Sequence, residues 1–227
     1  MTKAVSDFFK TVPERQTVLI LGPRGVGKGE LCIDYMKYFL EGGGKIIFMI
    51  TDTSPEKIKE KFLRRGVDLR KHSDRFIIID CYKAWSSVGG GGGNDSIDSM
   101  PDIRSLKLSV EKAVHRLGKP VRIFIDSAST IFLYNDMDAT LKFLRQASEK
   151  AKSESSSLGF TLHEGVHEEK LMKDIRSIVD GIIAFKLDDD RNTYIRYEAL
   201  KGKKPESGWT AFRFAEFGIV FGEEKAR

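Results

Sequence analysis

The sequence predicts a three-layer α/β domain on a mostly parallel central sheet, with antiparallel hairpins at the C-terminal end. Three observations predict it. Short apolar runs alternate with stretches of helical periodicity through most of the chain. The motif Gly-x-x-x-x-Gly-Lys, Gly22 to Lys28, lies between the first apolar run and the first helical stretch. Beyond Asp188 the residues alternate in closely spaced segments, the mark of hairpins. A length of 227 residues suffices for one well-buried domain, read as 1–227, and is short for two large ones.

The elements follow in order. Val18 to Leu21 is a buried strand, and Leu31, Cys32, Tyr35, Met36, Phe39 and Leu40 repeat at helical spacing until Gly42-Gly43-Gly44 stops the helix. Lys45 to Ile50 is a second strand. Thr53 or Ser54 then caps a helix that carries Pro55 in its first turn, turns Ile58, Phe62 and Leu63 inward and closes at Gly66. Phe76 to Asp80 is the third strand. Residues 81–100 contain five consecutive glycines, Gly89 to Gly93, and no periodicity, so they read as a loop. Pro101 opens a helix through Ile103, Leu106, Val110, Val114 and Leu117 that ends at Gly118. Val121 to Ile125 is a fourth strand, followed by a loop and a helix around Leu141, Leu144 and Ala147. Leu158 to Leu162 reads as a fifth parallel strand, and a short helix around Leu171 and Ile175 leads into Gly181 to Leu187. A turn over Asp188 to Asn192 then precedes hairpin strands at Thr193 to Leu200, Trp209 to Phe214 and Ile219 to Phe221.

Composition narrows the function. A hydrophobic fraction of 41% with 31% charged residues fits a globular protein, and the longest apolar runs are strand-sized, which excludes a membrane span. Met1 to Lys10 lacks the apolar core of a secretory signal, and the two cysteines, Cys32 and Cys81, have no metal-ligand spacing, so a cytoplasmic location with reduced thiols is expected. His163 and His167 stand four apart without a third ligand and read as surface residues. The net charge of +5, from 38 basic and 33 acidic residues, is a weak argument for nucleic acid. Only five Asn and Gln residues occur beside many Lys and Glu, a bias that resembles proteins of thermophiles.

The chemistry centres on Gly22, Pro23, Arg24, Gly25, Val26, Gly27, Lys28, Gly29 and Glu30. Glycines let backbone N–H groups turn around a phosphate, lysine reaches the β- and γ-phosphates, and the helix that follows points its positive end at the anion. The position after the lysine usually carries a Ser or Thr whose hydroxyl ligates Mg²⁺; here it is Gly29. A second Mg²⁺ anchor, an Asp ending a buried strand, is supplied by Asp126 in Arg122-Ile-Phe-Ile-Asp-Ser127. ATP or ADP binding is therefore expected, and Mg²⁺ dependence is in question.

In order and spacing, Leu19 to Leu31, Ile46 to Ile58 and Ile123 to Ile131 resemble the KaiC-like branch of the RecA superfamily of P-loop ATPases, in an archaeal-type form with altered site residues. Val179 to Ile183 and Glu198 to Phe221 follow the same branch's closing hairpins. The resemblance implies a RecA-like fold, nucleotide binding and a tendency to form homo-oligomers. In that family the second strand ends in one or two glutamates, the first polarising the attacking water; the matching pair here is Asp52 and Thr53. Asp52 is one methylene shorter, and its alternative role is a helix-capping carboxylate. The family also inserts basic residues from a neighbouring subunit. Lys201 matches one such position and Ala199 the other, while Lys201 to Lys204 reads equally as a solvated hairpin tip. Glu164 matches a polar sensor position loosely.

Three catalytic parts are thus altered together: the Mg²⁺ hydroxyl, the glutamate and one trans cation. Loss of one such group commonly costs several kcal/mol of transition-state stabilisation, so turnover is expected to be slow or absent. Two other readings stay open, a nucleotide-sensing scaffold without catalysis and a small P-loop kinase, whose loops also carry glycine after the lysine. A nucleic-acid-binding paralogue is disfavoured: Ser127 to Asp138 and His163 to Glu169 hold no Lys or Arg and five acidic residues.

Overall fold

The computed structural model describes residues 5–12, 14–84, 96–99, 102–200, 208–215 and 218–222. Among them the elements run α1 (Val5–Thr11), β1 (Thr17–Gly22), α2 (Lys28–Glu41), β2 (Ile46–Ile50), α3 (Pro55–Arg64), a 3₁₀ turn (Leu69–His72), β3 (Phe76–Asp80), β4 (Ser96–Asp98) and α4 (Ile103–Leu117). There follow β5 (Arg122–Asp126), α5 (Ala128–Tyr134), α6 (Met137–Ser153), β6 (Ser157–His163), α7 (Glu169–Ile178), β7 (Gly181–Leu187), β8 (Thr193–Ala199), β9 (Thr210–Ala215) and β10 (Gly218–Phe221). One sheet takes all the strands in the order β10-β9-β8-β7-β1-β6-β5-β2-β3-β4. From β7 to β4 neighbours are parallel; β7 to β10 pair antiparallel, as the alternating C-terminal pattern requires.

The central strands are buried on both faces, which is why they read as unbroken apolar runs. Alternation still divides the core. Phe48 and Ile50 of β2 join Leu31, Met36, Phe62 and Phe221 on one face, while Ile47 and Met49 join Leu106, Leu144, Phe160 and Ile175 on the other. The expected α/β layering is therefore observed, with helices on both faces of the sheet.

Five local expectations are corrected. Leu63 is 59% exposed: Pro55, Ile58 and Phe62 form the inward stripe of α3, and the next residue lies about 100° further round the helix. Ser54 is the cap that accepts from the Lys57 N–H, so Asp52 does not cap this helix. Ser96–Asp98, read as loop, adds a short edge strand to β3; one apolar residue is too little for a sequence signal, and residues 85–95 lie outside those described. The loop expected after β5 is instead largely helix α5, which begins just after Ser127. The helix expected from Pro101 begins at Ile103, with the Asp102 carboxylate accepting from Ser105 N–H; Pro101 itself lies outside the described residues. The N-terminal segment adds α1, whose Phe8 and Phe9 are buried beside Phe221 and Tyr35.

A buried charge network ties these layers together. Arg65, just past α3, donates to Asp34 of α2 at 2.6 Å and to Glu30 at 2.5 Å, and Lys61 reaches Glu30 at 2.7 Å. The second oxygen of Asp34 accepts the Ile219 N–H of β10 at 2.7 Å. Burial pushes the Asp34 carboxyl upward, and the bonds from Arg65 and Ile219 offset this only in part. The pair therefore orients α2, α3 and β10 rather than adding much net stability. We expect Asp34→Ala to cost about 3–5 kcal/mol in chemical denaturation, because it leaves Arg65 and the Ile219 N–H short of a partner. The exposed Arg64–Glu60 pair provides the contrast, and Glu60→Ala should stay within about 0.5 kcal/mol.

Candidate nucleotide site

Sheet order places the candidate residues together. β1, β6, β5 and β2 are adjacent and parallel, so their carboxyl ends bring Gly22, His163, Asp126 and Thr51 to one edge. Ligands bind in this crevice of open α/β sheets, where the strand order switches.

The loop itself is built around glycine. Gly25 and Gly27 have φ of 75° and 93°, a region that side chains rarely adopt. A Cβ on Gly25 would meet nothing within 4 Å, so the mouth of the loop is open, whereas buried Val26 anchors it from beneath. Lys28 spans the loop, donating to the Gly22 carbonyl at 2.8 Å and the Pro23 carbonyl at 2.7 Å. Its burial lowers its pKa from 10.5 to about 8, although the Asp126 carboxylate pulls the other way. Arg24 stands exposed beside it.

Asp126 ends β5 as expected. Thr161, a hydroxyl within the apolar run of β6, donates to one of its oxygens at 2.6 Å. The other oxygen lies 3.0 Å from where a Cβ on Gly29 would stand. The carboxylate thus leans into the space that the usual Ser or Thr would fill. Burial raises its pKa; the Thr161 bond opposes this and the neighbouring Asp52 carboxylate adds to it. Asp52 is exposed at the end of β2, and Thr51 and Thr130 both donate to its Oδ1. Asp52 and Asp126 therefore stand in one site. Glu30, by contrast, turns its carboxylate away to Lys61 and Arg65, which hold its pKa down against the effect of burial. Lys201 and Lys203 to Lys204 lie outside the described residues, while Ala199 ends β8.

Several contributors carried little or no sequence signal. His163 and His167, read as surface residues, are partly buried: the His167 Nε2 is 2.8 Å from Ser129 Oγ, which also accepts the His163 N–H. Burial lowers both pKa values, and Lys28 and Arg24 lower that of His163 further. His163 Nδ1 and Ser127 Oγ are buried with no partner among the described residues, as is Arg196 Nε. Behind the loop, a Cβ on Gly27 would fall 1.8 Å from the Phe214 ring of β9, and one on Gly22 would fall 2.6 Å from Phe185 Cβ. These glycines admit the C-terminal hairpin as well as the phosphate. Phe185, Phe212 and Phe214 stack edge to face at 5.5 Å steps, forming an aromatic column under the loop.

The cradle fits a nucleotide polyphosphate. Mg²⁺ is commonly held by one or two carboxylates plus the substrate's phosphates, and Asp126 is the residue placed to contribute. Among the described residues no cluster of three or more His, Cys, Asp or Glu is arranged to hold a metal without such phosphates.

Two predictions test this geometry. Phosphate charge will raise the Lys28 pKa in the complex, so above pH about 8 binding must take up a proton. Calorimetry in buffers of different ionisation enthalpy should show that uptake, with affinity falling as much as about tenfold per pH unit above 8 and nearly flat below it. Gly27→Ala should cost about 2–4 kcal/mol of stability by thermal or chemical unfolding, from overpacking plus left-handed strain. In a Phe214→Ala background the same change should cost only about 1–2 kcal/mol, because the strain alone is left.

Known proteins resemble the chain in family and in fold. A family model described as "ATPase: KaiC" matches residues 5–224. The UPF0273 protein MJ1359 of Methanocaldococcus jannaschii is 28% identical over 188 residues, which covers 78% of this chain and 74% of that protein. The UPF0273 protein SSO1861 of Saccharolobus solfataricus is 28% identical over 130 residues, 54% of this chain and 44% of its own length. Against such relatives the chain spans only about half of their length. The solved KaiC-like protein PH0186 of Pyrococcus horikoshii OT3 superposes with a TM-score of 0.73 at 17% identity, covering 93% of this chain and 91% of that one, which shows a shared fold. Among the described residues no helix is long and apolar enough to cross a membrane. By its matched length and its fold, the chain belongs to the KaiC family of RecA-like P-loop ATPases.

Proposed function

We propose that this protein binds ATP or ADP in the loop Gly22 to Gly29 and turns ATP over slowly or not at all, acting as a nucleotide-responsive regulator. The observation that carries the reading is the Asp126 carboxylate oxygen 3.0 Å from where a Cβ on Gly29 would stand. The metal-ligating hydroxyl is missing, and the carboxylate that would share its Mg²⁺ leans into the gap while accepting from Thr161. Phosphate binding needs only the backbone cradle and Lys28, both intact. Hydrolysis also needs a well-placed base and charge stabilisers, and each weakened part costs several kcal/mol. Asp52 is the base candidate, shortened by one methylene and engaged by two threonine hydroxyls. A scaffold that switches association with nucleotide, without chemistry, shares every one of these features. The hexameric habit of related ATPases makes a homo-oligomer the assembly to look for.

Calorimetry with ATP and with ADP, with and without Mg²⁺, tests the reading beside Gly29→Thr and Asp126→Asn variants. Tight binding that changes less than about tenfold without Mg²⁺ is expected, with turnover emerging only when Gly29→Thr restores the hydroxyl and moves Asp126 a few tenths of an ångström. A scaffold keeps nucleotide-dependent assembly in Asp126→Asn. Mg²⁺-dependent binding with wild-type turnover would instead make this a working ATPase, and absence of binding would sink the proposal.

A further inference from the structure

Beside the nucleotide site lies a surface that the phosphate chemistry does not use. α5, the start of α6 and the 164–168 loop carry Leu133, Tyr134, Met137 and Val166, which are 74%, 55%, 39% and 58% exposed. They include four of the large apolar side chains exposed among the described residues, and single exposed hydrophobics need no explanation whereas a group does. The two segments are held against each other: Phe132 meets the His167 ring edge to face at 5.6 Å, and Ser129 joins His167 by hydrogen bond. Within these two segments every charged side chain is acidic, while Lys28 and Arg24 act on the 163–164 end and Lys142 and Lys170 follow along α6 and α7. Asp136, Asp138, Glu164, Glu168 and Glu169 are all exposed, and neither Ser127 to Asp138 nor His163 to Glu169 holds a Lys or Arg. Asp136 caps α6, and Glu169 pairs with Lys173 at 2.9 Å further along α7. Asp138, Glu164 and Glu168 have no ion-pair partner among the described residues.

A patch of exposed leucine, tyrosine, methionine and valine rimmed by carboxylates repels phosphate backbones and complements lysine or arginine set among apolar side chains. We propose that this face docks a partner protein through a basic, amphipathic segment, with Leu133 and Val166 supplying apolar anchors and Asp138 and Glu168 the charge. Such segments are read by an apolar centre with a charged rim, in which the centre gives affinity and the rim gives partner choice.

The test uses the full chain and two fluorescent peptides of identical leucine spacing, one with lysine and one with glutamate at the polar positions. Anisotropy should show the lysine peptide binding at least about tenfold more tightly. Leu133→Ser with Val166→Ser should weaken it about tenfold or more. Asp138→Asn with Glu168→Gln should weaken it and flatten its salt dependence. All four side chains are exposed, so folding should survive, as unfolding midpoints would confirm; the two pairs act independently if one fails to fold. Equal binding of both peptides, or binding that neither pair alters, overturns the proposal. So does tighter binding of a single-stranded oligonucleotide at the same residues. Wild-type self-association in sedimentation velocity that Leu133→Ser with Val166→Ser abolishes also overturns it, since the face would then be a contact between copies of this chain.

Discussion

The structure depends on a close approach of backbone to aromatic rings behind the phosphate loop. Gly22 and Gly27 lie so near Phe185 and Phe214 that no side chain fits between them. Phosphate access explains why one side of the loop must be bare; the hairpin explains the other side. β9 thus adds to the support that Val26 and Phe185 of β7 give the loop. The antiparallel extension is therefore part of the site, and its burial of Phe212 against Phe185 gives the site a rigid floor.

Two opposed burials meet above that floor. Lys28 and Asp126 are each disfavoured in their charged forms by desolvation, and each partly relieves the other. An incoming polyphosphate adds negative charge, which favours protonated Lys28 and works against ionised Asp126. A metal ion would reverse the second effect, and a neighbouring hydroxyl would normally share in holding it. With Gly29 in that place, Asp126 is left to Thr161 and to the repulsion of Asp52.

Much of this was legible in sequence. The loop, the strand ending in Asp126 and the succession of strands and helices along the chain are written in local patterns: glycine spacing, an apolar run ended by a carboxylate, and alternation of period. That Asp52 stands near Asp126 emerges only from the pairing of β2 with β5. What stayed hidden depends on pairs far apart in the chain. Phe214 packs on Gly27, and Asp34 binds the Ile219 N–H 185 residues away; neither leaves a mark in its own neighbourhood. Thr161 was visible as a hydroxyl in an apolar strand, yet only the β5–β6 pairing reveals its acceptor. Glu30 sat within the motif, and nothing local shows that its carboxylate serves Lys61 and Arg65.

Glu30 also links the site to its surroundings. It is the second residue after Lys28, and its carboxylate holds Arg65, which holds Asp34, which holds the backbone of β10. β10 pairs with β9, and β9 carries Phe214 back under the loop. The chain of contacts closes on itself: phosphate loop, α2, charged cluster, C-terminal strand, aromatic ring, phosphate loop. A shift in the loop must be accommodated at both ends of this circuit, because packed interiors and buried ion pairs tolerate discrete rearrangement rather than gradual strain. The hairpin that carries Phe214 also forms the edge of the sheet opposite β4.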